Sequence, residues 1–485
     1  MCTIHVMVHC GALSRALELI RPGRVALAAA LLASGGFSTN ARADETYAVD
    51  FVSTAAAGGA LNDDGDVAGS AFADDDCGPW CVAHKETVAW LEGERIVLPG
   101  LAGYTNLYVT GMNSHRWISG FAGSSSAKRA VVWKPTLSGY TLIDLGILPG
   151  SRTSIASGID EVGRVVGWST TVGPGGASNP FVWTESDGML DLVSLGFPDD
   201  IPLAISPAGM VATEDYWYSL DNVGSVVLMR PPPQGFAVGI LPTVVNDSGE
   251  QARFLLGEGE EVFLFRYHPN GTWQQLASTG TDRLGRFGLG SINSAGDVSG
   301  TIGGMALVAY GPDGTAKALP QLLSPAYPGS AVPAAGPMNE NGQILAQVMI
   351  GHRGRLVKLT PAQPCGLRCM EVSTFVIQSE VVSDPADPGA CTEGGLAYNA
   401  TQVDLRVTSS RGFPLRGVSI TGRFLDDYLT DEVVTAETNA RGQARFNYIG
   451  RCGVGEVAFL VDDAAKSQWV FDRTAGTLAG GATPK

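Results

Sequence analysis

Residues 292–300 read INSAGDVSG, a short polar turn between two apolar segments. The Asn293 side chain can bond its own backbone and Gly296 can adopt a positive φ, so this stretch predicts a tight β-hairpin. Six similar stretches occur at 61–69, 112–120, 158–167, 204–212, 244–252 and 338–346. The aligned turn residues are Gly65, Arg116, Gly163, Gly209, Gly249, Gly296 and Gly342.

The copies recur at a mean spacing of about 46 residues, which is room for four short strands. Such a unit cannot bury its apolar face alone, and units of this kind stack into a ring. The pattern therefore predicts an all-β chain that begins with a seven-bladed β-propeller. The last unit lacks its fourth strand, so residues 46–53, TYAVDFVS, are expected to complete it and to close the ring.

These copies resemble the HAF-type extracellular repeats of bacteria. The best match is IDLGILPGSRTSIASGIDEVGRVVGWS at 143–169, followed by NPFVW at 179–183, and the resemblance covers about 46–360. Arg116 replaces the turn glycine in unit two, and units four and five match weakly, which leaves six or eight blades as alternatives. The family is defined by its repeat, so the resemblance implies architecture and location and no agreed activity.

The period is lost after Pro364, where alternating apolar positions predict a small β-sandwich. The stretches 403–424 and 433–450 are similar to bacterial immunoglobulin-like domains of the invasin and intimin type, which implies a spacer or presenting module at about 370–475. The expected organisation is a signal peptide at 1–43, a β-propeller at 44–362, a linker at 363–372, an immunoglobulin-like sandwich at 373–475 and a flexible tail at 476–485.

A basic stretch, the apolar run VALAAALLASGG at 25–36 and the Ala41-Arg42-Ala43 site predict a signal peptide cleaved after Ala43. The protein is therefore expected in the periplasm, at the cell surface or secreted, without membrane insertion after cleavage. A net charge of −16 argues against nucleic acid as a partner and favours neutral or cationic ones. We expect a monomer that binds a glycan or a protein.

Six cysteines remain after cleavage, an even number that suits disulfides in an oxidising compartment. A Cys391–Cys452 bridge is expected within the sandwich, and local bridges are expected in CGPWC (Cys77, Cys81) and CGLRC (Cys365, Cys369). The alternative is a zinc site that joins the two C-x₃-C pairs, because the first and last blades are neighbours in a closed ring.

Recognised catalytic signatures are absent: the sequence has no G-x-S-x-G elbow, H-E-x-x-H pair or P-loop. His84, His115, His268 and His352 are dispersed and are expected to be solvated loop residues. The sequence therefore assigns no catalytic, cofactor-binding or metal-ligating residue. Calcium is the one cofactor considered, at the acidic clusters 63–66 and 74–76.

These observations predict a non-catalytic binding or adhesion scaffold that presents its ligand site on a propeller face, with the sandwich as a spacer. The alternatives are a carbohydrate-active hydrolase or lyase with its site on a propeller face, and a structural component of a surface or matrix.

Overall fold

Strands dominate the computed structural model of the protein, which confirms the predicted all-β class. The structure describes residues 46–54, 56–72, 85–124, 127–171, 177–258, 261–279, 287–311, 313–362, 365–366, 368–382, 398–426, 431–450 and 455–483. Within these ranges the one helix is α1 (Leu319–Leu322). Four residues are far too few to span a bilayer, and no other described segment is a helix.

Seven four-stranded antiparallel sheets make up the first part of the described chain. The first three sheets contain β2 (Ala56–Leu61), β3 (Val67–Phe72), β4 (Lys85–Leu91), β5 (Glu94–Val97); β6 (Asn106–Met112), β7 (Ile118–Gly123), β8 (Lys128–Thr136), β9 (Gly139–Gly146); and β10 (Ser151–Ile159), β11 (Val165–Thr171), β12 (Ser178–Thr184), β13 (Gly188–Asp191). The next two contain β14 (Ala204–Ile205), β15 (Met210–Ala212), β16 (Tyr216–Ser219), β17 (Asn222–Leu228); and β18 (Phe236–Val245), β19 (Gln251–Gly257), β20 (Val262–Tyr267), β21 (Trp273–Ser278). The last two contain β22 (Gly288–Ile292), β23 (Val298–Ile302), β24 (Met305–Ala309), β25 (Ala316–Ala318); and β26 (Ala334–Met338), β27 (Ile344–Ile350), β28 (Arg353–Pro361), β1 (Tyr47–Ser53).

The first strands of the seven sheets contact one another in a closed cycle, in which β26 of the seventh sheet touches β2 of the first. The strand β1, from the start of the described chain, pairs with β28 near the end of the ring, Val49 opposite Leu359. This confirms the predicted pairing of residues 46–53 with the last repeat. The result is a β-propeller-like ring without an open end.

A glycine in the second strand of several repeats lets that strand approach the first one closely. At Gly120 a Cβ atom would lie 2.0 Å from the Tyr108 carbonyl oxygen, and at Gly167 it would lie 2.0 Å from that of Ile155. No side chain fits at such a distance, so sheet geometry requires glycine at these two positions, whereas three other repeats carry alanine there.

Two further four-stranded sheets, with the strand orders β33-β30-β29-β35 and β32-β31-β34-β36, follow the ring and are called here the two-sheet region. Their strands are β29 (Cys369–Val382), β30 (Tyr398–Ser409), β31 (Ser419–Asp426), β32 (Asp431–Glu437), β33 (Gln443–Gly450), β34 (Val457–Ala465), β35 (Val470–Gly476) and β36 (Ala479–Ala482). Inward side chains alternate with outward ones, as in β33, where every second residue is buried. This alternation is what a sheet with one core face requires.

The two-sheet region packs directly on the seventh sheet of the ring. One hydrophobic cluster runs from Val357 and Leu359 of the ring to Phe424 and Leu478. Polar contacts join the same parts: the Arg473 guanidinium bonds the Asp50 carboxylate and the Val49 carbonyl oxygen of β1. The Arg423 guanidinium also lies 4.1 Å from the centre of the Phe51 ring.

Two boundaries differ from the sequence expectation. Strand β29 begins at Cys369, inside the expected linker, because Met370 and Val372 are apolar side chains that enter the shared core. The expected flexible tail contains β36, which pairs with β34, and Leu478 just before it is fully buried. Burial of these apolar residues explains both differences, since a free linker or tail would expose them to water.

Candidate functional site: the mouth of the ring

The seven repeat turns share one local hydrogen bond. In each turn a side-chain oxygen accepts the backbone N–H of the residue four positions later, at 2.7–3.1 Å. The accepting residues are Asn62, Asn113, Asp160, Ser206, Asn246, Asn293 and Asn339. Any residue with a short acceptor side chain can fill this role, which explains why Asp and Ser occur beside Asn.

The turn glycines have the left-handed backbone that the hairpin requires, with φ between 73° and 86° at all six positions. Arg116, which takes the glycine's place in the second turn, has φ 62°. Its guanidinium bonds Asp66 and Glu92, each at 2.8 Å, and the bond to Glu92 is the largest cause of a raised Arg116 pKa. These two ion pairs offset the cost of a positive φ at a residue with a side chain.

Neighbouring turns are joined all the way around the ring. Four asparagine amides donate to a backbone carbonyl of the adjacent turn, as Asn339 does to Asn62 at 2.9 Å. Where the repeat has Asp or Ser, which carry no amide, backbone groups take over: Glu161 N–H donates to the Pro207 carbonyl at 2.9 Å. The Ala208 and Ser294 amides complete the circle by donating to Asp247 and Glu340.

Four carboxylates stand at this end of the ring, which we call the turn mouth, and Asp63, Glu161 and Glu340 are the three that lie toward its axis. Glu161 accepts the Ser114 backbone N–H, and Glu340 accepts that of Ser294, at 3.0–3.1 Å. Asp63 accepts the Glu340 backbone N–H at 2.9 Å. Ionised carboxylates are strong acceptors for backbone N–H groups, so these bonds fix the direction of the acidic side chains.

A cavity of about 270 Å³ lies beneath the carboxylates, along the axis of the ring. Its wall is mostly small or apolar, with Gly111 and Gly158 beside Met112 and Ile159 from two neighbouring sheets. Polar groups nevertheless expose more of the cavity surface than apolar groups do, so with its acidic rim the mouth can hold a small polar group that has a cationic or hydrogen-bond-donating head.

Electrostatics at the turns follow burial. Desolvation raises the pKa of the Asp160 carboxyl, while its hydrogen bonds with Arg164 act in the opposite direction. Arg164 also reaches Asp221 of the next sheet at 2.5 Å. The ion pair therefore lies across the seam between the third and fourth sheets.

The histidines do not all match the expectation of solvated loop residues. His115 is exposed at the turn mouth, with Nδ1 3.6 Å from the Glu161 carboxylate. His268 is partly buried, because it lies between Glu250 at 2.8 Å and Gln274 at 3.4 Å. His352 is exposed and its Nδ1 lies 2.5 Å from Glu456 of the two-sheet region. His84 lies outside the described residues.

The structure tests the disulfide predictions at one pair of cysteines. Cys365 and Cys369 form the expected local disulfide beside the start of β29. Bonded sulfurs are not thiolates, so this pair cannot supply ligands to the alternative zinc site in this form. Cys77, Cys81, Cys391 and Cys452 lie outside the described residues, and their pairing stays a prediction.

The first acidic cluster considered for calcium has structural partners. Asp66 is buried and accepts the Asn62 amide and the Glu92 backbone N–H, and Asp63 bonds the neighbouring turn. Residues 74–76 lie outside the described ranges. Among the residues that the structure describes, no three His, Cys, Asp or Glu side chains are grouped so that they could hold a metal ion.

Sequence reasoning considered Asp63 only as a calcium ligand and missed Glu161 and Glu340, although the repeat carried a signal for them. The residue after each turn acceptor is Asp63, Ser114, Glu161, Pro207, Asp247, Ser294 and Glu340. Serine in one repeat precedes an acid in the next, and the structure pairs them, Ser114 with Glu161 and Ser294 with Glu340. This alternation between neighbouring repeats is the pattern that could have located the site.

No protein-family model matches the sequence, and the search of curated proteins found no similar one. Solved structures similar in fold include a gluconolactonase from Xanthomonas campestris, with 10% identity, a TM-score of 0.31 and coverage of 66% of this chain and 91% of that one. Prolyl oligopeptidase B from Galerina marginata has 8% identity, a TM-score of 0.26 and coverage of 72% and 38%. PorZ, a surface component of the type-IX secretion system of Porphyromonas gingivalis, has 13% identity, a TM-score of 0.25 and coverage of 84% and 69%.

These likenesses concern the β-propeller-like fold, and they correct one prediction. The expectation that the protein is not an enzyme is contradicted, because the similar structures include a gluconolactonase and a peptidase. That expectation relied on the lack of a local motif. A ring assembles its mouth from residues far apart in sequence, as Glu161 and Glu340 are here, so no local motif is needed. Catalysis at this mouth is a question for experiment.

Proposed function

We propose that the protein is an exported HAF-type repeat protein that binds a cationic or hydrogen-bond-donating group of a glycan or protein at the turn mouth. The observation that carries the proposal is the set of three oriented carboxylates, Asp63, Glu161 and Glu340, above a cavity of about 270 Å³. In this proposal the ring is a seven-bladed β-propeller and the two-sheet region is an immunoglobulin-like sandwich of the invasin and intimin type.

Rigidity supports binding at this mouth. Every turn is hydrogen-bonded to both neighbours, so the carboxylates are held in place before a ligand arrives. A preorganised site loses little conformational entropy when it binds. The net charge of −16 adds a long-range attraction for cationic groups.

The two-sheet region has a different role in this proposal from a simple spacer. It shares a hydrophobic core with the seventh sheet, so it holds the ring at a fixed orientation. A surface attached through this region would present the turn mouth at a constant angle.

Export is part of the proposal, and the Cys365–Cys369 disulfide suits it, because disulfides persist in oxidising compartments. Protein recovered from the native host should begin at Asp44, which N-terminal sequencing measures. An uncleaved form recovered from the cytosol would contradict export.

The binding proposal is tested with the mature protein on an array that contains neutral glycans, amino sugars and lysine-rich peptides. Glu161→Gln and Glu340→Gln should each weaken binding of the best ligand at least tenfold, measured by titration calorimetry. The matched control is Glu185→Gln, which removes an exposed carboxylate that is ion-paired with Lys134. Binding that survives both mouth variants would refute the site.

A panel of hydrolase and lyase substrates should be assayed in parallel. Turnover that is lost in Glu161→Gln and in His115→Ala would assign catalysis to the same mouth, since these two side chains lie 3.6 Å apart. Turnover unaffected by either variant would place any catalytic site elsewhere in the protein.

A further inference from the structure

The fourth sheet of the ring ends in β17, a strand with no partner on its outer side within the described residues. None of its seven residues is buried, and Leu228 is 63% exposed. Val223 and Val227 are also exposed large apolar side chains on the same strand. An exposed apolar edge strand is a template for pairing with another chain.

The backbone at the end of β17 is open for such pairing. Met229 donates its N–H to the Asp215 carbonyl at 2.8 Å, and Val227 pairs with Trp217. Bonded and outward-facing residues alternate along an antiparallel strand, so the N–H and C=O groups of Val226 and Leu228 face away from the sheet.

The apolar surface continues beyond the strand. A Cβ at Gly196 would lie 3.3 Å from Val223 Cγ1, so the segment 193–196 lies beside β17. This segment adds the exposed side chains of Val193 and Leu195. The exposed side chains of Val193, Leu195, Val223, Val227 and Leu228 border this edge on the two faces of the sheet, and we call these five residues the outer strip.

Charge around the outer strip is predominantly negative, and the flanking cations are Arg164, which is ion-paired with Asp221, and Arg230 after the end of the strand. Residues 165–229 contain no Lys, Arg or His but eight acidic residues: Glu185, Asp187, Asp191, Asp199, Asp200, Glu214, Asp215 and Asp221. None of the eight is buried. Three of them adjoin the strip directly, since Asp221 precedes β17, Asp215 bonds Met229, and Asp191 accepts the Val193 backbone N–H at 2.9 Å.

Three other outer strands of the ring, β5, β9 and β25, lack this combination. β5 carries Glu94 and Arg95 in its four residues. β25 has three residues, and β9 carries Asp144 in an ion pair with Arg129 at 2.8 Å. Charged or short edge strands are the usual protection against pairing, and β17 is without it.

We propose that the outer strip binds an extended peptide segment of a partner protein, in which apolar residues alternate with basic ones, by adding it as a fifth strand beside β17. The apolar side chains of the segment would pack on the strip, and the basic ones would face the surrounding carboxylates. The site is independent of the turn mouth, which lies at the axis of the ring.

Features at both ends of β17 limit the length of the segment that can bind. Toward its N-terminal end β17 bonds to itself, since the Asn222 side chain accepts the Gly224 N–H at 2.9 Å and Ser225 bonds the Asn222 carbonyl. Beyond Arg230 the residues Pro231, Pro232 and Pro233 have no N–H to offer. A short segment of about five residues is therefore the length that fits.

The test uses a fluorescein-labelled nonapeptide of alternating valine and lysine, titrated into the mature protein and followed by fluorescence anisotropy. Leu228→Lys should weaken binding at least tenfold, because it places a like charge in the strip. Val97→Lys is the matched control, since Val97 is 49% exposed on the outer strand β5, and binding should be unchanged.

A second probe separates strand addition from attraction between charges. The same peptide with N-methyl groups on alternate residues keeps its charge but loses its backbone donors, and it should bind at least tenfold more weakly. Equal binding of both peptides, equal binding by Leu228→Lys, or no binding at all would overturn the proposal. A dimer of the parent protein that Leu228→Lys abolishes in sedimentation would also overturn it, because the occupant would then be a second copy.

Discussion

The same five-residue turn pattern, Asn-x-x-Gly-Gln, occurs once in the seventh sheet of the ring and once in the two-sheet region. In the ring, Asn339 accepts the Gln343 N–H at 3.0 Å and Gly342 has φ 73°. In the two-sheet region, Asn439 accepts the Gln443 N–H at 3.1 Å and Gly442 has φ 74°. The local hydrogen bonding of the two turns is therefore the same, although the turn at Asn439 connects β32 and β33, which belong to different sheets.

Their surroundings differ. Asn339 is buried and its amide donates to the Asn62 carbonyl of the next sheet, whereas the exposed Asn439 amide reaches only Gln443 of its own turn, at 3.4 Å. The turn asparagine of the ring repeat therefore has two functions. The side-chain oxygen shapes the hairpin, and the amide joins the sheets only where a neighbouring turn is present.

The largest expected effect separates the two turn glycines. A Cβ at Gly442 would lie 2.5 Å from the Val407 carbonyl oxygen, but at Gly342 the nearest atom is Pro361 Cγ at 3.4 Å. Gly442→Ala should lower the free energy of unfolding by about 3 kcal/mol or more, and Gly342→Ala by about 1 kcal/mol from the positive φ alone. Urea unfolding followed by tryptophan fluorescence measures both, and equal losses would contradict this account.

A second effect concerns the contact between the two regions. Arg473→Met leaves Asp50 of β1 without its cation in a partly buried interface and should cost about 2 kcal/mol. Ring and two-sheet region should then unfold in separate transitions. The control is Arg445→Met, which breaks an exposed pair with Asp404 and should cost at most about 0.5 kcal/mol. Unchanged, single-step unfolding of the Arg473 variant would show that the polar contacts do not couple the regions.

The asparagines themselves give the next prediction. Aspartate keeps the acceptor oxygen but has no amide to donate, so Asn339→Asp should lose about 2 kcal/mol by leaving the Asn62 carbonyl facing a carboxylate. Asn439→Asp should stay within about 0.5 kcal/mol of the parent, because its amide joins no other sheet. Differential scanning calorimetry of the two variants measures both losses. Similar losses at both positions would contradict the role of the Asn339 amide in joining two sheets.

The smallest expected effect is a pH dependence at Asp160, the ring turn that natively carries Asp. Because burial raises its pKa above 3.8, the folded chain binds the proton more tightly than the unfolded chain does. Lowering the pH from 7 toward 4 should therefore stabilise the parent relative to Asp160→Asn, by less than about 1 kcal/mol.

The control is Asp187→Asn, for which the stability of the parent relative to the variant should change with pH in the opposite direction. Hydrogen bonds from Ser186 and Thr184 lower the pKa of Asp187, so the parent loses stability relative to the variant as the pH falls below 3.8. Urea midpoints at pH 7, 5, 4 and 3 test both signs. A flat difference for Asp160→Asn would mean that Arg164 cancels the burial effect.

Local features were predictable from the sequence, and features between repeats were not. The turn positions follow from Asn or Asp and Gly at fixed offsets, and the pairing of residues 46–53 follows from an incomplete last unit. The partner of Glu340 could not be derived in the same way, because Ser294 and Asp63 belong to other sheets. A single hairpin pattern specifies only its own bonds, and the bond between turns is indicated only when successive repeats are compared, as with Ser294 and Glu340.

The sandwich that the sequence predicts as a spacer is a second case in which a local pattern does not specify contacts with distant parts of the chain. The alternation in 403–424 indicates one buried face per strand, but both a free sandwich and a docked one satisfy it. Docking depends on Val357 and Leu359 of the ring meeting Leu478, which the pattern expected in a loose tail. Leu478 is buried only because two parts of the chain that are distant in sequence pack together.

The closing strand has a consequence for the order of assembly. Asp50 of β1 bonds Thr360 of β28, its partner 310 residues away, so the seventh sheet cannot form until almost the whole ring has been synthesised. Until β28 has been made, β1 lacks its pairing partner, and the ring formed by the first six sheets stays open. Contacts between such distant residues slow folding and prolong exposure to aggregation. The ring therefore reaches its native state in one late event, and a truncated chain that lacks β28 should accumulate as an unclosed intermediate.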